Sequence, residues 1–313
     1  MRSYVLKRLV NLIYVILGIT LMSFVLANIS PVDPAEAYVR RNSKTADAEQ
    51  IERIREEMGF NRPVYIQYLA WAGKAVRLDL GESLVSGRPV RAEIMEAFPK
   101  TVLLVAASML MTLVVALPVG IICAVYRNRA FDNIVRVLTL VGISIPGFWL
   151  GFVLMYLFSV KLKLVPVVGF GRLENILLPA ATLAVPVIAL VIRLLRANML
   201  ENINKDFVTY AKARGISGRK IIAKHVFKNA LPPMITLLGQ TAGYMVAGTA
   251  VIESIFSWPG MGMYAVKAIM DRDFPAVNAY VMIMAVVFVI CNLFADVANM
   301  MISKGLVKEG VGF

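Results

Sequence analysis

Cysteine and histidine are scarce in this sequence, which has two cysteines, Cys123 and Cys291, and one histidine, His225, in 313 residues. Both cysteines lie inside long apolar runs, so a disulfide framework or a Cys/His metal cluster cannot be built from them. The phosphate-binding motif G-x-x-x-x-G-K-[ST] is also absent from the chain. We therefore expect no disulfide framework, no Cys/His metal site and no ATP bound through this motif in this chain.

Charge is also sparse, because 17% of the residues are charged while 59% are hydrophobic. Soluble domains contain about 45–50% apolar and about 25% charged residues. The composition therefore argues against a soluble globular protein. The charges that are present are unbalanced, with 33 Lys and Arg against 20 Asp and Glu, a formal net charge of +13. Such an excess fits a nucleic acid, an acidic partner or an oriented membrane protein.

Long uncharged runs recur along the chain at the length of a membrane-spanning helix. A helix that rises 1.5 Å per residue needs about 20 apolar residues to cross a hydrocarbon core of about 30 Å. The runs do not alternate as the strands of a membrane barrel do. We predict an all-α integral membrane protein with six transmembrane helices. The predicted spans are 9–29, 101–126, 137–160, 175–192, 229–252 and 274–295.

The positions of the charges orient these six spans. One side of the membrane receives 17 basic and four acidic residues, and the other receives 16 basic and 14 acidic residues. By the positive-inside rule the first side is cytoplasmic, which places both termini in the cytoplasm. We expect a multi-pass membrane protein in contact with lipid. Because membrane topology explains the basic residues, nucleic-acid binding is not expected.

The spans divide the chain into predicted regions. Residues 1–29 form the cytoplasmic N-terminus and first span, and residues 30–100 form an extracytoplasmic region with helices predicted at 46–58 and 64–78. The transmembrane core covers residues 101–303. A cytoplasmic tail covers residues 304–313. A cytoplasmic segment at 198–230, inside the core range, is much longer than a turn between two spans requires.

This cytoplasmic segment has the pattern of a short helix–turn–helix. Asp206 is a plausible N-cap of a helix that Gly215 ends, and a second helical run follows at 217–228. Small residues, including Ala211 and Ala213, are predicted to be exposed at its centre, where another protein could approach closely. The pattern alone leaves two readings open, a docking surface and a solvated amphipathic loop.

The docking reading gains support because the segment resembles the cytoplasmic docking loop of ABC importer permeases, in the branch that imports peptides and nickel. The resemblance extends along the whole chain in matching order. The matching stretches are 1–8, 33–34, 78–83, 88–90, 144–149, 178–179, 209–215, 225–232, 252–262 and 272–275.

The resemblance implies a permease subunit of the bacterial plasma (inner) membrane that forms half of a translocation pathway. It also implies that this chain is not an enzyme and has no catalytic residues, metal site or bound cofactor of its own. Its expected partners are a second homologous permease in a heterodimer, two ATPase subunits that bind ATP and Mg²⁺, and an extracytoplasmic solute-binding protein. ATP-driven closure of the ATPases would move the docking loops and alternate the access of the pathway. The implied docking residues are Thr209, Tyr210, Ala211, Ala213, Arg214 and Gly215. Thr209 stands where the wider superfamily has a glutamate, so a contact of that glutamate is not transferred to this chain.

The same resemblance, with proline and glycine inside predicted spans, indicates residues of the pathway or its gate. Prolines kink helices, and kinks suit a pathway that opens and closes. The candidates are Ser144, Pro146, Phe148, Glu253, Trp258, Pro259 and Gly260. For Glu253, placed near the end of a predicted span, a structural or interfacial role is favoured over a pathway role.

Three hypotheses for the transported solute or mechanism remain. The sequence most resembles nickel-type permeases, so import of nickel or a nickel chelate is the leading hypothesis. Import of dipeptides, oligopeptides or glutathione is the alternative, because those permeases share the same framework. Nickel favours N, O and S ligands, which the predicted spans scarcely offer. A secondary transporter is the least favoured, because it would leave the docking segment unexplained.

Overall fold

The structure, a computed structural model, describes residues 2–29, 35–36, 38–39 and 47–308. These residues form helices and connecting turns without a β-strand, and only Glu82 and Pro89 form an isolated antiparallel bridge. The all-α prediction is therefore confirmed. Asp33 and Pro34, and residues 309–313 of the predicted tail, lie outside the described residues.

The described helices fall into short and long elements. The first three are α1 (Arg2–Ile29), α2 (Ala48–Glu57) and α3 (Val64–Val76). The next group is α4 (Val90–Val125), α5 (Ala130–Ser144), α6 (Gly147–Leu154, continued by a π-helical turn Met155–Lys161) and α7 (Glu174–Ile203). The last group is α8 (Asp206–Ala213), α9 (Gly218–Ile221, continued by a π-helical turn Ile222–Val226), α10 (Phe227–Ile255), α11 (Met261–Met270) and α12 (Phe274–Lys308).

Four described helical segments are long and apolar enough to cross a membrane. They are Val90–Val125, Glu174–Ile203, Gly218–Ile255 and Phe274–Met301. The pair α5 and α6 would make a fifth if it counts as one broken span. In α1 the apolar helical segment Ile13–Val25 is shorter than a full span. Several candidate membrane spans are thus present, whereas the count of six stays a prediction that requires α5 and α6 to form one span and α1 to cross.

The helices extend beyond several of the predicted spans. Helix α4 begins at Val90, inside the region predicted to be extracytoplasmic, and α7 continues past Arg193 and Arg196 to Ile203. Pro232 lies inside the continuous helical segment Gly218–Ile255, as the sixth residue of α10 and shortly after the π-helical turn Ile222–Val226.

The third predicted span, 137–160, is interrupted. Helices α5 and α6 meet at Ile145–Pro146 with an angle of 107° between them. Ile145 is extended (φ −74°, ψ 125°) because a residue before proline is pushed out of the helical region. Pro146 then begins α6, where its missing N–H costs nothing. The single helix predicted here is wrong, and the expected kink is a complete break.

The chain divides into two compact units, residues 1–101 with 259–287 (unit 1) and residues 102–258 with 288–313 (unit 2). In unit 1, α3 packs on α1: the Tyr68 and Thr20 hydroxyls lie 3.0 Å apart, and the Phe24 ring packs edge-on to Tyr68. The carboxylate of Asp273 accepts hydrogen bonds from the Ser83 hydroxyl and the Leu84 N–H. This contact ties the start of α12 to the loop before α4.

In unit 2, α7 packs against α5, α6 and α10. Helices α10 and α12 approach closely at Gly239, where a Cβ would lie 2.0 Å from the Cβ of Ala295. Close approach at a glycine gives two helices extended van der Waals contact without a bulky side chain between them. The largest buried cluster of unit 2 surrounds α8 and is described with the site.

Candidate functional site: an exposed helix on a buried core, and a broken span

The segment that the sequence singles out folds as the short helix α8, which begins one residue earlier than predicted. Asp206, the expected N-cap, is the first helical residue, and Lys205 (φ −80°, ψ 153°) is the N-cap. An acidic residue in the first helical turn is stabilised by the helix dipole. Asp206 therefore favours the start of the helix without capping it.

The C-terminal end of α8 forms where the sequence predicts it. Gly215 has φ +71°, a left-handed conformation that glycine adopts at low cost. Its N–H donates to the Lys212 carbonyl at 2.9 Å, and the Ile216 N–H donates to the Ala211 carbonyl at 3.1 Å. These two bonds form a Schellman motif, which satisfies the last carbonyls of the helix and fixes the turn into α9.

The candidate docking residues share one exposed surface, with one exception. Ala211, predicted to be exposed, is 7% exposed and packs inward next to Val208, because both lie on the face turned to the core. Tyr210, by contrast, is 71% exposed. We name the exposed surface the α8 ridge; it consists of Thr209, Tyr210, Ala213, Arg214 and Gly215.

The α8 ridge stands on a buried apolar cluster, the α8 core, which joins it to four longer helices. Besides Val208 and Ala211, the core takes residues from α4, α5, α7 and α10 and from the α9 segment. Its members are Ala116, Cys123, Ala124, Val135, Val191, Ile192, Leu195, Met199, Val208, Ala211, Ile221, Val226, Ala230 and Met234. A ridge on this core is held by packed side chains at interior density, so the solvated-loop reading does not describe the structure.

An ion pair beside the α8 core was not predicted from the sequence. Asp132 of α5 is fully buried, and Arg196 of α7 binds it with two hydrogen bonds, Nε to Oδ1 at 2.6 Å and Nη2 to Oδ2 at 2.7 Å. The Asn128 N–H also donates to Oδ2 at 2.8 Å. In the sequence both residues read only as charges flanking predicted spans, and their separation of 64 positions gives no local signal.

The first group of pathway candidates lies at the break between α5 and α6. Ser144 donates its hydroxyl to the Leu140 carbonyl at 2.9 Å, Pro146 begins α6, and Phe148 is 53% exposed. Together with Leu140, Val141, Ile145 and Trp149 they line an open apolar groove of about 540 Å³. Exposed apolar surface of this kind marks contact with lipid, protein or a ligand.

Glu253 and Trp258 are buried in unit 2 rather than facing a groove. Glu253 is fully buried in the last turn of α10, and its carbonyl accepts the Trp258 N–H at 2.8 Å. The Trp258 ring packs edge-on to Phe170, with the centroids 4.9 Å apart, and on Leu104 and Ala180. The structural role favoured for the Glu253 side chain stays a prediction.

Pro259 and Gly260 belong to unit 1, where they precede α11. Gly260 is the N-cap of α11, and the Met261 N–H donates to the Thr101 hydroxyl at 2.8 Å. Burial and a hydrogen bond of 3.0 Å to Glu93 raise the pKa of Tyr264, so this hydroxyl stays protonated and donates. The structure thus brings the ridge residues together but distributes the pathway candidates over a groove, a buried cluster and unit 1.

These features define a class: a helical, multi-span membrane protein with a structured, exposed ridge. Comparison with known families specifies it further. Residues 116–308 match the family of binding-protein-dependent transport system inner membrane components, and residues 1–105 match the corresponding N-terminal family. The chain belongs to this family, the ABC importer permeases of the peptide/nickel branch. It is therefore a transport subunit of the inner membrane and not an enzyme.

Two relatives match the chain along almost its whole length. The glutathione transport system permease protein GsiC of Escherichia coli (strain K12) is 35% identical over 297 residues, which is 95% of this chain and 96% of GsiC. A protein of Brucella suis biovar 1 (strain 1330) with the provisional name of peptide permease protein is 37% identical over 309 residues, 95% of this chain and 97% of its own.

A solved structure supports the fold. A chain of the MetNI methionine ABC transporter, in an inward-facing conformation, aligns with a TM-score of 0.59 over 68% of this chain and 98% of its own. The two sequences are 18% identical, so the likeness concerns the fold alone.

Proposed function

We propose that this chain forms half of the translocation pathway of an ATP-driven importer and that its α8 ridge docks into an ATPase subunit. The observation that carries the proposal is the combination of an exposed ridge with a buried core. Tyr210 and Arg214 project from a helix whose opposite face, at Val208 and Ala211, is packed against the ends of long apolar helices. A ridge anchored in this way can transmit a force, whereas a solvated loop would deform.

The family supports the partner set in general, namely ATPase subunits and a solute-binding protein. The finer assembly is our proposal: a heterodimer with a second homologous permease, two ATPases that bind ATP and Mg²⁺, and one extracytoplasmic binding protein. Closure of the two ATPases around ATP moves the α8 ridges, and the movement alternates the access of the pathway.

The proposed topology has six spans, with both termini and α8 in the cytoplasm. Helix α1 has 28 residues. At 1.5 Å per residue it is about 42 Å long, enough to cross a hydrocarbon core of about 30 Å. The charge distribution supports the orientation, because 17 basic and four acidic residues fall on the side assigned to the cytoplasm. Accessibility of single cysteines introduced at Gly215 and at Gly87 to an impermeant thiol reagent tests it.

The proposed cargo is a short peptide or glutathione. The two relatives described above carry names for glutathione and for peptide transport, and together they cover almost the whole chain. Neither is named for nickel, so the hypothesis that led on sequence alone gives way to its alternative. Selection of the cargo is expected to rest largely on the binding protein, because the pathway candidates are mostly apolar.

Uptake by cells tests the cargo. A strain without this permease gene, and the same strain complemented, would be given labelled glutathione, a labelled dipeptide or labelled nickel. We expect loss and restoration of uptake for glutathione or the dipeptide and unchanged uptake of nickel. Loss of nickel uptake with unchanged peptide uptake would restore the nickel hypothesis.

Deletion of the partner ATPase gene tests the energy source. An ATP-driven importer loses uptake in that strain, and uptake returns with the wild-type ATPase but not with a variant that binds and does not hydrolyse ATP. A secondary transporter, the remaining alternative, would continue to take up solute in the ATPase deletion strain as long as the ion gradients persist.

A further inference from the structure

The buried pair of Asp132 and Arg196 is more than a consequence of topology. A basic residue at this end of α7 need not be buried, since Arg193, one turn earlier on the same helix, is exposed. Arg196 instead has 19% of its side chain exposed and binds both oxygens of a fully buried carboxylate. Burial of two charges is unfavourable unless they are paired with good geometry, as they are here.

Capping of α5 does not account for the pair either. Asp132 lies in the first turn of α5 and accepts a hydrogen bond from the Asn128 N–H. An acidic side chain at the start of a helix can bind such an N–H without the help of a second side chain. That bond uses one oxygen and needs no arginine. The planar guanidinium, which reaches both oxygens from α7, adds a fixed orientation between the two helices.

The pair lies where the α8 core meets the broken span. On α7, Arg196 is flanked by Leu195 and Met199, and on α5, Asp132 is followed by Val135; all three apolar residues belong to the α8 core. The other end of α5 is the break at residues 145–146. Helix α5 therefore connects the core beneath the α8 ridge to that break.

Beyond the break, α6 contacts the end of α10, near the pathway candidates Glu253 and Trp258. A Cβ placed at Gly151 would lie 3.4 Å from the Phe256 ring and 3.5 Å from the Thr182 methyl group. Phe256 follows Glu253 by three positions and packs in one cluster with Ile252. A contiguous series of contacts thus leads from the α8 core through α5 and α6 to the end of α10.

We propose that Asp132 and Arg196 are positioning residues which make α5 and the broken span move together with the α8 ridge. The inference rests on the proposed docking function and adds the element that transmits it. Apolar packing in the α8 core has no preferred direction, whereas two charge-assisted hydrogen bonds between planar groups hold α5 and α7 at one angle and one register. With the pair intact, α5 moves together with the ridge, and the movement reaches the break. Without the pair, the ridge can move while α5 stays in place.

The experiment uses the complete importer, with both permeases, both ATPases and the binding protein, in proteoliposomes. Asp132→Asn keeps an oxygen for the Asn128 N–H and removes the charge. Arg196→Lys keeps the charge and removes the planar guanidinium that binds both carboxylate oxygens. For both variants we expect ATPase subunits to co-purify at wild-type levels and ATP hydrolysis to continue, while solute transported per ATP hydrolysed falls at least tenfold. The matched control Arg193→Lys, on the same helix, should stay within twofold of wild type.

Two double variants separate positioning from stability. Exchange of the charges, Asp132→Arg with Arg196→Asp, should restore much of the transport per ATP. Asp132→Leu with Arg196→Met replaces the pair by apolar side chains; we expect it to recover the wild-type Tm but not the coupling. Normal coupling in this apolar variant, or in Arg196→Lys, would overturn the inference. Equal loss of ATPase co-purification and of transport would also overturn it, because the pair would then only maintain the fold of the ridge.

These outcomes are distinct from failure of the proposed function. If the wild-type complex shows no ATP-dependent transport of any cargo, the docking function itself is wrong. If wild type transports and the Asp132 and Arg196 variants remain coupled, only the positioning role is wrong.

Discussion

The α8 core and the break between α5 and α6 lie in the same unit but differ in how far their side chains are buried. Around α8, apolar residues from several helices are buried together, and the neighbouring charges of Asp132 and Arg196 are paired. At the break, Leu140, Phe148 and Trp149 are exposed around an open groove. The first region is closed by side chains of this chain, whereas the second presents an open apolar surface.

The difference indicates how the two regions can act in transport. A closely packed core resists deformation and can pass on a displacement. The apolar side chains at the break are about half exposed, so they can change their neighbours at low cost. The comparison thus predicts large effects of substitutions on the α8 ridge and in packed contacts, and small effects of polar changes at the groove.

The largest effect is expected from Gly215→Asp. Aspartate tolerates the left-handed backbone better than most residues, so the end of α8 should persist. The new side chain nevertheless adds bulk and negative charge to a ridge on which a partner is expected to close. We expect wild-type amounts in the membrane, abolished transport and at least a hundredfold loss of ATPase affinity, which is about 2.8 kcal/mol.

Gly218→Asp is the matched control for this variant. Gly218 is also exposed and has open space around its Cβ position, but it lies on α9 outside the ridge, with an ordinary backbone conformation. ATPase co-purification and transport should change little. Similar losses in both variants would show that added charge anywhere on this surface is harmful. That result would contradict a specific role of Gly215 in docking.

The next largest effect separates the ridge from its core. Tyr210→Ala removes an exposed aromatic anchor and should weaken ATPase binding by about 2 kcal/mol, as at interface hot spots, without lowering the Tm. Val208→Ala removes a buried side chain from the opposite face and should destabilise the protein by about 1–2 kcal/mol. Affinity for the ATPase and thermal unfolding in detergent provide the two measurements. A lower Tm for Tyr210→Ala together with weaker ATPase binding for Val208→Ala alone would contradict the assignment of the exposed and buried faces of α8.

A third prediction concerns close packing away from α8. In Gly239→Ala the new methyl group would meet Ala295, whose Cα lies at 3.1 Å and whose Cβ lies at 2.0 Å, so α10 and α12 must separate. Such overpacking costs about 1–3 kcal/mol. Gly248→Ala, on the same helix but with no atom within 4 Å, should be neutral or slightly stabilising, because alanine favours helix. Thermal unfolding should therefore shift downward only for Gly239→Ala.

The sequence predicts what depends on neighbours in the chain. The apolar runs locate the long helices, and Gly215 marks the end of α8, because both signals lie within a few residues. The burial of Ala211 and the pairing of Asp132 with Arg196 depend on contacts made by folding, which a single sequence does not display. Pro146 indicated a kink, but the angle of 107° depends on how α6 packs against α7 and α10.

The smallest effect is expected at the groove, from Ser144→Ala. The Ser144 hydroxyl donates to the Leu140 carbonyl of its own helix, and such a bond contributes little to helix stability. Its removal should leave transport within twofold of wild type and the Tm unchanged.

Phe148→Ala removes exposed apolar surface from the same groove and should reduce transport more. Transport rates of the two variants at equal membrane abundance test the order. A tenfold loss in Ser144→Ala would mean that the hydroxyl meets the cargo, and the groove would then be a polar binding surface rather than an adaptable apolar one.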